Sequence, residues 1–230
     1  MCYNSVEREL NGAYELRARA IIFDLDGTLV DTAADLAGAM NYALEKAGQP
    51  THSVEVCKQM IGNGLKMFAQ RALGEDSQHL RDEVLGAMKA RYRDKCFEYT
   101  RLYEGVFEVV KRLRAGGIRL AVLTNKDQDD AERVVEHFFG AATFEYVVGV
   151  GNNTGLKPDT RGAMKIVRSM GLFCEDFLIV GDSSMDMQMA SSAGIRSVGV
   201  SWGFRRREEL AEAGADIIID SPAEILDMVA

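Results

Sequence analysis

The feature that most constrains this chain is an apolar segment that ends on two closely spaced carboxylates, in the sequence AIIFDLDG at residues 20–27. Ala20 to Phe23 is apolar throughout, which is typical of a parallel strand buried on both faces of a sheet. Asp24 and Asp26 would then follow the end of that strand, where ligands of open α/β sheets bind. Gly27 allows a sharp turn, so both acids can face one reacting group. The alternative is that Asp26 only caps backbone amides at the turn.

A long stretch with helical periodicity separates this segment from the other predicted strands. A helix is expected from residue 31 to the break at 48–50, because apolar residues recur there at four-residue spacing. Further helices are predicted at residues 54–61, 65–73, 80–88 and 92–99. Residues 34–102 are therefore predicted to form an all-helical block.

Strand and helix patterns alternate after residue 103. Strands are predicted at residues 118–123, 144–148, 177–180, 197–200 and 217–219, and helices at 106–114, 131–139, 159–170, before 193–194 and at 207–213. This alternation is typical of a parallel sheet covered by helices. We therefore predict an α/β core formed by residues 1–33 and 103–230, with residues 34–102 inserted as a cap over the strand ends. The hinges of the cap are expected near residues 31–34 and 102–105.

Polar residues follow three of the predicted strands, and a lysine precedes a neighbouring helix. These residues are Asp24, Asp26, Thr124, Asn125, Lys157, Asp182 and Asp186. Because the carboxyl ends of parallel strands lie at one edge of a sheet, we expect these side chains to meet in one crevice. Taken singly, each has a structural explanation, such as a solvated loop lysine or a helix cap.

The same residues lie in four short motifs that occur in a fixed order. These are DLDGT at residues 24–28, LTN at 123–125, LKPD at 156–159 and GDSSMD at 181–186. Together they resemble the motifs of the haloacid dehalogenase (HAD) superfamily of phosphotransferases, over residues 20–225. The resemblance implies a Rossmannoid parallel-sheet core with an inserted helical cap, which agrees with the organisation predicted above.

The resemblance also implies catalytic roles. Asp24 would attack phosphorus to form an aspartyl-phosphate, while Asp26 would protonate the leaving oxygen and then activate the hydrolytic water. Thr124 and the amide of Asn125 would bind phosphoryl oxygens, and Lys157 would neutralise both Asp24 and the transferring group.

A Mg²⁺ ion is the expected cofactor, because this hard cation prefers oxygen ligands. By the resemblance, it would be bound by Asp24, the carbonyl of Asp26 and Asp182. Asp186 would orient these ligands.

The second acid and the cap sequence narrow the expected reaction. Dehalogenases of the superfamily lack an aspartate at the position of Asp26, so its presence favours phosphoryl chemistry. The sequence IGNG at residues 61–64, followed by RAL at 71–73, resembles phosphoglycolate phosphatases. We therefore predict a phosphatase of small phosphorylated metabolites, with 2-phosphoglycolate as the leading candidate. The alternatives are a β-phosphoglucomutase-like mutase, a pyrophosphatase or sugar phosphatase and, from another class, a non-catalytic binding module on a HAD scaffold.

Substrate recognition is predicted to come from the cap. Gly62 and Gly64, on either side of Asn63, would let a loop approach the substrate closely. Lys66 or Arg71 would then bind a substrate carboxylate. The alternative is a helix-breaking turn with a solvated lysine.

Other basic residues are predicted to be solvated surface. They are Lys126 and the run at residues 205–207, of which Arg205 is also a candidate for the rim of the site.

Composition excludes several functional classes. A formal net charge of −8 without a block of Lys or Arg argues against nucleic acid and anionic membranes as partners. No apolar segment approaches the roughly 20 residues that span a bilayer. Residues 1–19 lack the apolar centre of a signal peptide, so a cytoplasmic location is expected. Residues 1–19 are expected to form either a loosely attached leader or a short helix around residues 6–16. The sequence indicates no oligomeric state.

Overall fold

A six-stranded parallel sheet with helices packed against it forms the core of the computed structural model, which describes residues 18–151 and 154–229. In chain order the strands are β1 (Ala20–Phe23), β2 (Val30–Asp31), β3 (Arg101–Leu102), β4 (Arg119–Asp127), β5 (Tyr146–Val150), β6 (Phe177–Gly181), β7 (Arg196–Val200) and β8 (Ile217–Ile219). The sheet has the order β5-β4-β1-β6-β7-β8, and β2 pairs with β3 separately. The predicted α/β class is confirmed.

Nine α-helices occur in the described part of the chain. They are α1 (Ala33–Lys46), α2 (Val54–Met60), α3 (Leu65–Ala72), α4 (Arg81–Lys95), α5 (Val106–Ala115), α6 (Gln128–Phe139), α7 (Arg161–Met170), α8 (Ser184–Ala193) and α9 (Arg207–Glu212). Three short 3₁₀ helices lie at Glu75–Leu80, Cys174–Asp176 and Pro222–Met228. The helix expected around residues 6–16 lies outside the described residues.

Strand β1 occupies the middle of the sheet because all of its side chains are apolar. Ala20 and Ile22 pack into the hydrophobic cluster on one face, and Ile21 and Phe23 into the cluster on the other. The strand pairs in parallel with β4 on one side and β6 on the other. Asp24, the next residue, therefore lies between the ends of two neighbouring strands.

Several predicted boundaries are wrong. The two helices predicted at residues 80–88 and 92–99 are one helix, α4, because the intervening sequence KAR at 89–91 consists of good helix formers. Strand β4 continues past residue 123 to Asp127, with a shift in its pairing to β5. Strand β5 begins only at Tyr146. Phe144 is buried by packing edge-on against aromatic rings rather than by strand pairing.

Helices α1 to α4 form the helical block above the sheet and share their own hydrophobic cluster. Its large members include Met40, Leu44, Phe68, Met88 and Tyr92. The chain leaves the core through β2 and returns through β3, and these two strands pair antiparallel. The pair lies at the ends of the predicted 34–102 insertion. None of the helices between residues 18 and 229 that the structure describes is long and apolar enough to cross a membrane; the cytoplasmic location stays a prediction.

Candidate active site

Asp24 lies at the end of β1, and its backbone N–H still donates to Val180 in the neighbouring strand. Its Oδ1 accepts a 2.7 Å hydrogen bond from the N–H of Leu25 and lies 2.7 Å from the Nζ of Lys157. The chain then turns at Gly27, whose φ is +88°. A Cβ at this position would collide with the carboxylate of Asp182, so glycine allows both the turn and the close approach of that acid.

Three carboxylates converge at this edge of the sheet, as the sequence predicts. Ligand oxygens of Asp24, Asp182 and Asp186 all lie within 4.8 Å of one another, and the three residues are buried. Asp182 accepts hydrogen bonds from the N–H of Phe204 at 2.7 Å and from the hydroxyl of Thr28 at 3.2 Å. Asp186 lies in the first turn of helix α8 and accepts a 2.6 Å hydrogen bond from the hydroxyl of the helix-capping residue Ser183.

Lys157 lies between two of these acids. Its Nζ is 2.7 Å from an oxygen of Asp24 and 2.7 Å from an oxygen of Asp186. Burial lowers the pKa of Lys157, but the two carboxylates raise it more, so the side chain is held as the ammonium form. Its backbone N–H donates to the side chain of Asn125 at 2.7 Å, which fixes the loop that carries it.

The acids outnumber this cation, and the pKa values of two of them, Asp24 and Asp182, are raised mainly by burial and further by the neighbouring negative charges. Burial is the largest cause of a raised pKa for Asp24, which Lys157 partly offsets and Asp186 reinforces. Burial also raises the pKa of Asp182, and the charges of Asp24 and Asp186 add to the effect. A divalent cation with a preference for oxygen ligands fits this cluster, because it would relieve the repulsion among buried carboxylates. The donor set therefore suits the predicted Mg²⁺.

Thr124 and Asn125 lie in the irregular part of β4, beside Asp24. Thr124 is buried at this edge of the sheet, and its binding of a phosphoryl oxygen stays a prediction. The side-chain amide of Asn125 instead donates to the carbonyl of Gly62 in the cap at 2.8 Å and to that of Lys157 at 3.3 Å. This side chain connects the cap to the core, so only the backbone N–H of Asn125 would bind a phosphoryl oxygen without breaking these bonds.

A cavity of about 410 Å³, including its open mouth, lies between the strand ends and the cap. The core contributes Asp24, Asp26, Thr124, Asn125 and Lys126. The cap contributes the apolar side chains of Leu36, Ile61, Leu65 and Phe68, together with Gly62 and Gly64. The predicted approach of the glycine loop to the core acids is thus present.

The structure does not bring the two predicted cap cations into this cavity. Lys66 is exposed on helix α3, because the neighbouring Leu65 and Phe68 form the face that points to the cavity. Arg71 donates a 3.0 Å hydrogen bond to the carbonyl of Met60 and lines a separate outer cleft, together with Asn63. These residues lie outside the cavity that contains Asp24.

The prediction that Lys126 is solvated is wrong. Its side chain is 2% exposed, and its Nζ lies 2.8 Å from both carboxylate oxygens of Asp26. Its position directly after Thr124 and Asn125 is the sequence feature that could have indicated its burial in the site, because residues at a strand end can turn into the same crevice.

The prediction for the basic run at residues 205–207 is wrong for its first member. Arg205 donates to the carbonyls of Lys58 and Ile61 in the cap, each at 2.6 Å. Arg206 and Arg207 are exposed, as predicted. The sequence carries no pattern that separates Arg205 from its neighbours, since its partners are backbone groups distant in the chain.

Comparisons with known proteins agree with this arrangement. A family model described as haloacid dehalogenase-like hydrolase matches residues 21–200. The chain is 30% identical over 213 residues to phosphoglycolate phosphatase 1 of Pseudomonas aeruginosa, covering 90% of this chain and 78% of that protein. It is 31% identical over 209 residues to a phosphoglycolate phosphatase of Aliivibrio fischeri, covering 88% and 92%. The crystal structure of a predicted phosphoglycolate phosphatase from Haemophilus somnus superposes with a TM-score of 0.85 at 31% identity, covering 92% of this chain and 97% of that one.

Proposed function

The chain belongs to the haloacid dehalogenase-like hydrolase family, and we propose that it is a Mg²⁺-dependent phosphatase that hydrolyses 2-phosphoglycolate through an aspartyl-phosphate. The family match confirms the resemblance predicted from the motifs, and the similar phosphatases identify the chain as a phosphoric monoester hydrolase. The observation that carries the proposal is the pairing of Asp24 with Lys157 inside a cluster of buried acids below a cap.

In the first step, an oxygen of Asp24 forms a bond to phosphorus while the bond from phosphorus to the leaving oxygen breaks. Asp26 gives its proton to that oxygen, so the alcohol leaves neutral. In the second step, Asp26 takes a proton from a water molecule whose oxygen attacks phosphorus, which releases Asp24 and inorganic phosphate. Asp26 thus acts as the general acid in the first step and as the general base in the second.

The remaining groups position the phosphoryl group and neutralise negative charge. Thr124 and the backbone N–H of Asn125 bind phosphoryl oxygens, and Lys157 offsets the charges of Asp24 and of the transferring group. Asp186 holds Lys157 in place through their 2.7 Å contact. Mg²⁺, when bound by Asp24, Asp182 and the carbonyl of Asp26, would supply further positive charge next to the phosphoryl group.

The cap wall supports a small substrate. Leu36, Ile61, Leu65 and Phe68 offer no hydrogen-bonding side-chain groups to the cavity. Sugar hydroxyls placed against such a wall would lose their hydrogen bonds to water without replacement. This observation favours a two-carbon phosphate over a sugar phosphate, in agreement with the names of the similar proteins.

The test is a comparison of kcat/KM for 2-phosphoglycolate, β-glucose 1-phosphate, pyrophosphate and p-nitrophenyl phosphate, with Mg²⁺ and after its removal by EDTA. We expect 2-phosphoglycolate to give the highest value and EDTA to abolish phosphate release. A higher value for pyrophosphate or a sugar phosphate would overturn the substrate assignment. Formation of glucose 6-phosphate without phosphate release would make the enzyme a mutase.

The nucleophile assignment has its own test. Asp24→Asn should remain folded, because an amide fills the same space, but should lose at least about 100-fold in kcat, on the scale of catalytic groups. Asp159→Asn is the matched control, since Asp159 lies two residues after Lys157 but forms its ion pair with Arg161 at the surface. Activity of Asp24→Asn above about a hundredth of the wild-type level would exclude Asp24 as the nucleophile.

A further inference from the structure

Lys126 is a buried cation at the point where core and cap meet. Two of the three N–H groups of its ammonium face the carboxylate of Asp26, with Nζ 2.8 Å from each oxygen. The same ammonium lies 4.8 Å from the ring centroid of Tyr92, which helix α4 of the cap contributes. A cation over an aromatic face is stabilised by the ring, more strongly when both are removed from water.

Lys126 also differs in charge from the rest of the cavity wall. Among the described residues that line the cavity, it carries the one positive charge. Asp24 and Asp26 contribute carboxyl groups, and the cap side is formed by apolar side chains and glycine backbone. Lys157 contacts Asp24 and Asp186 on the phosphoryl side, whereas Lys66 is exposed on the outer surface of the cap.

The position of Lys126 relative to Asp26 decides which part of the substrate it can reach. In the proposed mechanism Asp26 faces the leaving oxygen, so Lys126 lies on the leaving-group side of the cavity. The carboxylate carbon of 2-phosphoglycolate is only two bonds from that oxygen. Such a carboxylate, once removed from water, needs a cation or several hydrogen-bond donors.

We propose that Lys126 determines specificity by binding the carboxylate of the substrate on the leaving-group side of the cavity. The inference rests on the proposed function and names the group that would recognise its substrate. Lys126 takes the place of the cap lysine and arginine that the sequence suggests for this role. Asp26 keeps the buried ammonium paired while the cavity is empty, and the third N–H of Lys126 is the donor for a second anion.

Tyr92 has a supporting role in this arrangement. This residue is 1% exposed, and its hydroxyl has no hydrogen-bond partner among the residues that the structure describes. The tyrosine therefore contributes its ring face to Lys126 from the cap. The cation site is complete only when the cap lies over the core.

The test compares two phosphate esters that share a primary alkyl leaving group, 2-phosphoglycolate and 2-hydroxyethyl phosphate. Lys126→Met removes the charge but keeps most of the side-chain volume. We expect this variant to lose on the order of 100-fold more in kcat/KM for 2-phosphoglycolate than for 2-hydroxyethyl phosphate. Lys126→Arg, which keeps the charge, should retain more of the wild-type preference than Lys126→Met.

Product inhibition gives a second measurement that does not depend on the hydrolysis of different substrates. With p-nitrophenyl phosphate as the substrate, Lys126→Met should weaken inhibition by glycolate by about tenfold or more and leave inhibition by inorganic phosphate nearly unchanged. If Lys126 only held Asp26 in position, both inhibitors would behave as they do with the wild type. If it only stabilised the fold, both would weaken together.

The outcomes separate this inference from the proposed function. A wild-type enzyme that does not prefer 2-phosphoglycolate over 2-hydroxyethyl phosphate would contradict the proposed substrate. A wild-type preference that Lys126→Met leaves intact, with equal losses on both esters, would overturn the inference and leave the function standing. A selective loss in Lys66→Met instead would assign carboxylate binding to the cap lysine. Circular dichroism of each variant shows whether it is folded. If Lys126→Met unfolds, the double variant Lys126→Met/Asp26→Asn, which removes both charges of the ion pair, takes its place in a measurement of glycolate binding.

Discussion

At the scale of single residues, the site concentrates negative charge away from water. Asp24 and Asp186 share the ammonium of Lys157, Asp182 lies beside them, and burial raises the pKa of Asp24 and of Asp182 above the ordinary carboxyl range. At a pH between the ordinary carboxyl pKa and these raised values, the folded protein without metal therefore binds protons that the unfolded chain does not. Ionising these acids costs folding free energy, and a bound cation recovers part of it.

The raised pKa values of the buried acids predict two opposite trends with pH, one in the stability of the metal-free protein and one in the stabilisation by Mg²⁺. As the pH rises from about 4 towards 8, the metal-free folded state binds more protons than the unfolded state, so its stability should fall. Mg²⁺ binds the ionised acids, so its stabilising effect should grow over the same range. Thermal denaturation in EDTA and in Mg²⁺, at several pH values, measures both trends.

Asp182→Asn is the control for this trend, because the amide resembles the protonated acid and can still accept the hydrogen bond from Phe204. In EDTA at pH 8 its Tm should exceed that of the wild type by on the order of 5 °C. The increase in Tm with Mg²⁺ should be lost. A wild-type Tm in EDTA that rises between pH 4 and pH 8 would contradict the assigned direction of the pKa shifts.

The role of Asp26 as the general acid predicts a dependence on the leaving group. Asp26→Asn should lower kcat by about 100-fold or more for 2-hydroxyethyl phosphate, whose alkoxide needs a proton to leave. For p-nitrophenyl phosphate the loss in the first step should be much smaller, because nitrophenolate leaves without protonation. Burst kinetics of nitrophenolate release separate this step from hydrolysis of the aspartyl-phosphate. Equal losses of the burst rate and of alkyl ester turnover would assign Asp26 a positioning role.

The residues of the site divide into those that the sequence predicts and those that it does not. Asp24 and Asp182 follow apolar strands, and a parallel sheet places such strand ends at one edge, so their meeting follows from local patterns alone. Lys126 is different, because its burial depends on Asp26 from one strand end and on Tyr92 from the cap. Its position directly after Thr124 and Asn125 is the one local sign that it belongs to the site, and its partners lie elsewhere in the chain.

At the scale of elements, the link between core and cap depends on a buried carboxylate at the start of helix α1. Asp35 accepts hydrogen bonds from the backbone N–H groups of Tyr99 and Thr100, at 3.0 and 2.8 Å, and from the hydroxyl of Thr100 at 2.7 Å. These residues precede β3, which pairs with β2. The carboxylate therefore joins the chain segment that leaves the cap to the helix that enters it.

Removing this carboxylate should destabilise the junction. Asp35→Ala leaves buried backbone N–H groups without an acceptor, so the free energy of unfolding should fall by about 2–4 kcal/mol. Asp82→Ala, which removes an exposed acid of the cap beside Arg81, is the control and should leave the free energy of unfolding nearly unchanged. Urea denaturation measures the difference. An unfolding midpoint of Asp35→Ala equal to that of Asp82→Ala would show that the junction does not depend on Asp35.

The elements that the sequence fails to predict are those whose causes lie elsewhere in the chain. Strands β2 and β3 contain two residues each, which is too few for a periodic pattern. They form because the chain segments that leave and re-enter the core lie side by side. Helix α4 runs through a stretch of residues 89–91 where the apolar spacing lapses, because backbone propensity continues the helix. Strand β1, in contrast, can be predicted from its own sequence, since its four residues are all apolar.

At the scale of the whole molecule, the structure shows the cap in contact with the core on more than one side of the cavity. Asn125 reaches Gly62 across the cavity edge, and Lys89 of helix α4 lies 2.7 Å from Asp127 at the end of β4. Arg205 binds the carbonyl end of helix α2 through Lys58 and Ile61. A positive charge at the carboxyl end of a helix is favourable, so this contact holds the cap down over the acids.

Arg205 therefore gives a test of cap closure that is independent of substrate charge. Arg205→Ala removes charge-assisted hydrogen bonds that exist only when the cap lies over the core, so a smaller fraction of molecules should be closed. We expect kcat/KM to fall by roughly tenfold for both 2-phosphoglycolate and 2-hydroxyethyl phosphate, since both require a closed site that excludes water. Arg207→Ala, two residues further along, removes an exposed arginine that pairs with Asp220 and should leave both values unchanged. A loss confined to 2-phosphoglycolate would instead make Arg205 a ligand of the carboxylate, and wild-type values for both esters would show that the cap closes without it.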